Sequence, residues 1–194
     1  MIRSLEALEE NRMKNYNLKN HYEKEVVHTL KTKLSINNRM AIPKLVKVVI
    51  NRGIGESTVN PAIIEQTVNQ FINITGQKPL LRKSKKSISN FKLRENQIIG
   101  CKVTLRRQNM YSFITKFIHL VCPKIRDFRG LPDNFDQFGN ITFGLVDTES
   151  IFNEIKLNSI DKTHGLSITI VTSAQDKVAA KLLLTEMGFP FRNK

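Results

Sequence analysis

Between Gly76 and Arg107 the chain carries ten lysines and arginines: Lys78, Arg82, Lys83, Lys85, Lys86, Lys92, Arg94, Lys102, Arg106 and Arg107. One acid, Glu95, stands among them, so this stretch supplies nine of the fourteen net positive charges. Clustered cations of this density bind polyanions. Arginine can fork onto phosphate or guanine, while lysine acts as a flexible point charge. The stretch has two halves. Leu81 to Asn90 reads LRKSKKSISN, rich in Lys and Ser with little apolar content, and is expected to be a loop. Ile99 to Arg106 alternates: Ile99, Cys101, Val103 and Leu105 on one side, Gly100, Lys102, Thr104 and Arg106 on the other. A strand with one apolar and one cationic, hydroxyl-bearing face suits a sheet with helices behind and a polyanion in front. An ordinary solvated strand beside a charged loop would show the same local pattern.

The elements around this stretch must position it. A helix is expected from Leu18, with Tyr22, Val26, Val27, Leu30 and Leu34 at helical spacing. After Pro43 comes a strand with Val46, Val48 and Ile50 on one face and Lys47, Val49 and Asn51 on the other. Gly53-Ile54-Gly55 ends it. A phosphate-binding loop would need a third glycine or a following GK[ST], so a tight strand exit is the better reading. Asn60-Pro61 opens a second helix, whose stripe is Ile64, Val68, Phe71 and Ile72 and whose cap is Gly76. Gln77 follows that cap, where a side chain can point outward.

Asn109 is a candidate cap for a third helix with Met110, Phe113, Ile114, Phe117, Ile118 and Val121 inward, ended by Pro123. The irregular run to Asn140 adds Lys124, Arg126 and Arg129, interleaved with Phe128, Phe135 and Phe138. Aromatics in a basic loop can stack on bases; here at least two of the three are expected to plug the loop onto its own core. Ile141, Phe143 and Leu145 alternate as a strand, as do Leu166, Ile168 and Ile170. Ser173 to Asp176 resembles a capping box before a last helix that buries Ala179, Leu182, Leu183 and Met187.

The order predicts one α+β domain over 18–194, with a largely antiparallel sheet, helices on one face and the other face open for RNA. Residues 1–17 form an N-terminal extension; Glu6, Glu9 and Glu10 make it a poor transit peptide. Net charge +14 and a pI near 10 point to a nucleic-acid partner. No apolar run is long enough for a membrane span. Cys101 and Cys122 read as reduced, buried thiols. Four scattered histidines have no metal-ligand spacing, and no nucleophile or tuned acid–base pair is visible. No enzyme activity and no cofactor are expected. A free RNA chaperone, or an enzyme acting on RNA through the same basic surface, is the alternative.

KVVINRGIGES, ITGQKP, NFKLRENQIIGCKVTLR, PKIRDFRGL and GFPFR follow one another in the order and spacing of a known family. From about Leu18 onward the chain resembles the universal large-subunit ribosomal protein five family. The resemblance implies a structural constituent of the large subunit, placed in the central protuberance. Its implied partners are 5S rRNA on the open sheet face, large-subunit rRNA, P-site tRNA, and neighbouring ribosomal proteins including a small-subunit bridge protein. By position, the implied 5S contacts are Asn51, Gln77, Thr104 and Arg106. Lys47 shares a face with Asn51, and Lys102 one with Thr104 and Arg106; Arg126 and Arg129 join the rRNA-binding set. The implied tRNA-contacting loop is Leu80–Asn90, with Arg82, Lys83, Ser84, Lys85 and Lys86. VKVVINRG is similar to plastid members, which implies a chloroplast ribosome; a bacterial cytoplasm or a mitochondrion is the alternative. FDQFGN stands where the family commonly shows FDGRGN, so Phe138 replaces an arginine. GLVDTESIFNEI departs further, so the resemblance implies no contacts near 137–155.

Overall fold

The structure is a computed structural model that describes residues 18–55, 62–146, 152 and 165–192. The N-terminal extension, the Asn60-Pro61 helix start and most of the divergent GLVDTESIFNEI run lie outside the described residues. Among the described residues, four helices and five strands follow in the order α1, β1, α2, β2, β3, α3, β4, β5, α4. Helix α1 covers residues 18–33 and α2 is Ala62–Thr75. Helix α3 covers residues 107–124 and α4 is Lys177–Glu186. The strands are β1 Leu45–Gly53, β2 Leu80–Lys83, β3 Ile98–Leu105, β4 Ile141–Leu145 and β5 Leu166–Thr172. They form one antiparallel sheet in the order β2-β3-β1-β5-β4. The architecture is α+β, as the sequence predicts.

Two compact units divide the chain. The first takes residues up to Val46, then Arg106–Ile141 and Val171 onward. In it α1 packs on α3 and α4. Its core holds Leu30, Met110, Phe113, Ile114, Phe117, Val121 and Leu183, all buried. The Phe117 ring lies 6.2 Å from that of Phe189. Lys33 Nζ reaches Glu186 Oε1 at 2.6 Å, tying α1 to the end of α4.

The second unit takes Lys47–Leu105 and Thr142–Ile170, hence nearly all of the sheet, with α2 packed against β3. Its core is the inner sheet face: Val48, Ile50, Cys101, Val103, Leu105, Phe143, Leu145, Ile168 and Ile170, with Phe71 and Ile74 from α2.

Several expected details are corrected. Alternation in β1 slips at its start: Leu45 and Val48 are buried, whereas Val46 faces out. Ile99 is also exposed, so the inward face of β3 begins at Cys101. The buried side of α2 is Thr67, Gln70, Phe71, Ile74 and Thr75 rather than Ile64, Val68 and Ile72. Its reason lies beneath it. Arg52 continues the Val48–Ile50 face into the core at 1% exposure, donates from Nη1 to Gln70 Oε1, and stands 5.6 Å from the centroid of the Phe71 ring. A buried cation requires polar and π partners, and these hold α2 in a phase that apolar counting does not find.

In α3, Arg107 begins the helix two residues before Asn109, and Arg106 flanks it with extended backbone and no side-chain cap. Pro123 does not end it. A π turn over Phe117–Val121 widens the helix just before the proline, which then sits at the start of the last short segment, Cys122–Lys124. Helix α4 buries Ala180, Leu183 and Leu184, with Met187 buried just past its end; Ala179 and Leu182, expected inward, are only half-buried. Ser173 makes no capping box: its hydroxyl accepts from Lys44 N–H at 2.9 Å, and Asp176 flanks the helix without a side-chain cap.

Candidate nucleic-acid interface

Register fixes the polar face of the second unit. β1 and β3 pair antiparallel, with Asn51 opposite Lys102 and Val49 opposite Thr104. β2 pairs antiparallel on the other side of β3, with Leu80 opposite Lys102 and Arg82 opposite Gly100. Side chains directly opposite one another lie about 5 Å apart on the same face. Arg82, Lys102, Thr104, Asn51 and Lys47 therefore all project from one side, away from buried Cys101, Val103, Val48 and Ile50. The close approach of β3 to β1 depends on Gly100. A Cβ there would stand 2.8 Å from the Arg52 carbonyl oxygen, so any side chain would push the strands apart.

Gln77 reaches this face through the end of α2. Gly76 adopts φ +69, the left-handed turn that lets the chain leave a helix. Gln77 N–H donates to the Thr75 hydroxyl at 3.2 Å, and that hydroxyl donates to Phe71 O at 2.6 Å. Its exposed side chain opens onto a groove of about 340 Å³. Lys78, Arg82, Lys102 and Thr104 line the same groove, together with Leu80 and Val103. Two amide and hydroxyl side chains and three cations converge there, and no acid lines it. Such a set holds phosphates by charge and reads sugar or base edges by short hydrogen bonds.

Toward β5 and β4 the same face loses its charge. Ser167 and Thr169 are half-buried, Thr142 and Gly144 exposed, and the Thr142 and Thr169 hydroxyls lie 3.0 Å apart.

The expected loop from Leu80 to Asn90 is a loop only from Ser84 onward, and there it is a braced connection between β2 and β3. Its first four residues are β2, so Arg82 lies on a strand and lines the groove. Ser84 is 6% exposed, and its hydroxyl donates to Arg94 O. Its backbone pairs with Gln97 O and Asn96 N, at 2.8 and 3.1 Å. Ser84 therefore ties the hairpin together and offers no hydroxyl to a partner. Ser87 Oγ accepts from Glu95 N–H at 3.0 Å, and Ile88 bridges Leu93. Composition suggested a loop because Lys and Ser rarely order themselves; here the serines do so by bonding the backbone. Lys83, Lys85 and Lys86 are exposed, as are Lys92 and Arg94. Phe91, to which spacing gives no signal, tops the hairpin at 75% exposure.

Arg106, Arg126 and Arg129 are exposed and belong to the first unit. The loop that carries Arg126 and Arg129 is braced by the chain's closing motif. Leu131 N–H donates to Pro190 O at 2.8 Å, and Arg192 N–H donates to Leu131 O at 3.1 Å. Gly130, at φ +93, leaves no room for a Cβ, which would stand 2.5 Å from Arg192 N. Thus PKIRDFRGL and GFPFR hold each other. Phe135 is buried with its ring 5.8 Å from that of Phe191, and Phe128 is half-buried. Phe138 remains 72% exposed on a turn locked by Asp136, whose carboxylate accepts from Phe138 N–H, Asn140 N–H and Asn140 Nδ2. The Asn140 bonds hold the Asp136 carboxyl below its ordinary pKa.

Neither thiol is disulfide-bonded. Burial pushes Cys101 up to about 11 and Cys122 to about 12. Among the described residues, no group of three His, Cys, Asp or Glu could hold a metal ion. No described helix is long and apolar enough to cross a membrane.

Two family models match the chain: "Ribosomal protein L5" over residues 38–94 and "ribosomal L5P family C-terminus" over residues 98–191. The chain belongs to the ribosomal protein L5 family. It is similar to the large ribosomal subunit protein uL5 of Chlorobium phaeovibrioides, 49% identical over 174 residues, 89% of this chain and 87% of the relative. Against uL5 of Clostridium kluyveri the identity is 49% over 178 residues, 91% and 98% of the two chains. Against uL5 of Dichelobacter nodosus it is 47% over 176 residues, 90% and 98%. Membership in the L5 family makes the chain a structural constituent of the large ribosomal subunit, and not an enzyme. Its partners are therefore rRNA and other ribosomal proteins.

Proposed function

We propose that the second unit binds 5S rRNA with the β2-β3-β1 part of its open sheet face. The observation that carries this is the groove in which Gln77, Lys102 and Thr104 meet Arg82 and Lys78 without an acid. Asn51 and Lys47 extend the same face across β1. Arg106, Arg126 and Arg129, on the first unit, add contacts to 5S or large-subunit rRNA. The hairpin beyond β2 presents Lys83, Lys85 and Lys86 to the P-site tRNA. The same protein contacts ribosomal neighbours, among them a small-subunit bridge protein. Bacterial relatives fit a bacterial ribosome; the resemblance of VKVVINRG to plastid members supports a chloroplast one.

The test is retention of 5S rRNA by the purified protein, compared with the double variant Arg82→Ala/Lys102→Ala. Loss of two phosphate contacts should flatten the slope of log K against log salt by about 2. An unchanged slope and affinity would place 5S binding elsewhere.

A further inference from the structure

We propose that Phe91 is a stacking platform for an exposed nucleobase of folded RNA. The inference rests on the reading of the hairpin as an RNA-contacting element and adds a residue that reads base faces rather than phosphate.

Phe91 lies in a 3-10 turn, Ser89–Phe91. Its ring is 75% exposed, where burial would be worth a few kcal/mol in most folds. The turn beneath it is fixed. Lys92 N–H donates to Ser89 O at 2.9 Å, Lys92 takes φ +50, and Ile88 and Leu93 bridge directly below. Phenylalanine has two side-chain torsions, so an ordered turn presents it with little freedom left to lose on binding.

Charge decides what meets the ring. Lys85, Lys86, Lys92 and Arg94 are exposed on the same hairpin, with Glu95 as the only acid there. An apolar protein surface would have to desolvate those cations without neutralising them. Folded RNA supplies phosphates for them and a base face for the ring. Such a face can come from the P-site tRNA or from rRNA, and the test separates the two.

Assembled ribosomes carrying Phe91→Ala, Phe91→Leu or Phe91→Trp are compared with wild type and with Lys85→Ala/Lys86→Ala. Incorporation of each variant is measured first; the exposed ring makes full incorporation the expectation. P-site tRNA dissociation is followed across a salt series, and rRNA nucleotides are probed chemically in the same particles. If the base is the tRNA's, Phe91→Ala and Phe91→Leu should speed dissociation roughly 5- to 20-fold, with the salt slope unchanged. Phe91→Trp should hold tRNA as wild type does. The lysine pair should instead flatten the slope. If the base belongs to rRNA, dissociation stays constant, and one nucleotide becomes reactive in the Ala and Leu variants but stays protected in Trp. The platform is overturned if Leu behaves as wild type, or if neither tRNA dissociation nor rRNA reactivity changes. A lysine pair without effect would remove the tRNA reading of the hairpin cations while leaving the Phe91 result to stand or fall by itself.

Discussion

Arg82 and Ser84 are two positions apart, yet one faces the groove and the other fastens the hairpin. Arg82→Ala should weaken 5S rRNA binding by about 1–3 kcal/mol and leave thermal stability nearly unchanged, measured by filter binding and calorimetry. Ser84→Ala should do the reverse. It removes one buried hydroxyl bond, which costs about 1 kcal/mol, and amide exchange should quicken from Lys85 to Gln97 while 5S affinity holds. Arg52 is the cation that composition misassigns. Period-two reading puts it on the same face as Val48 and Ile50, so its inward direction was legible; its pairing with Gln70 across 18 residues was not. Arg52→Ala should destabilise the fold by about 2–4 kcal/mol, because Gln70 loses its buried partner and a void opens beside Phe71. Burial raises both thiols, against a smaller opposing pull from Arg52 at Cys101. Their folded values, about 11 and 12, exceed the unfolded value. The native state therefore holds its thiol protons longer, and the thiols' contribution to stability should be fully present below about pH 8.5 and fall as pH rises from there. Thiol labelling at neutral pH should be slow and track unfolding.

At the scale of elements, what the sequence made legible was the direction of strands more than the phase of helices. Alternation in β3 placed Lys102 and Thr104 correctly because a strand has only two faces. Helix α2 was read in the wrong phase because its inner side carries Thr67, whose hydroxyl bonds Ile63 O, and Gln70, which pairs with the buried Arg52. Pro123 misled for a different reason: a π turn accommodates a residue without an amide hydrogen, and nothing in local composition announces it. Strand β2 was missed because it is short, exposed on most of its residues, and made only by pairing with β3. The close β1–β3 contact yields a direct test. Gly100→Ala forces a methyl against the Arg52 carbonyl, and should cost about 1–3 kcal/mol of stability by strand displacement. If 5S binding then falls in the folded fraction as well, the register of Asn51 opposite Lys102 is part of recognition.

For the whole molecule, the cations of the candidate site are divided. Groove and hairpin belong to one compact unit, and Arg106, Arg126 and Arg129 to the other. If roughly five to eight phosphates are neutralised in all, log K for 5S rRNA should fall with log salt at a slope of about −4 to −7. A slope near zero in a filter-binding series would exclude the charged surface as the source of affinity. The family was legible from five motifs, but what joins two of them was not. PKIRDFRGL and GFPFR read as separate signatures, and they meet as Leu131 with Pro190 and Arg192. That meeting also sets a timetable. Translation runs at about 5–20 residues per second, so Pro190 is made roughly 3–12 s after Leu131. Throughout that interval Leu131, beside Arg129, lacks its backbone partners at Pro190 and Arg192. This arginine-bearing loop must take its shape only after Pro190 to Arg192 have been synthesised, and a ribosome that stalls between β5 and Pro190 would release a chain able to form its sheet but not this loop.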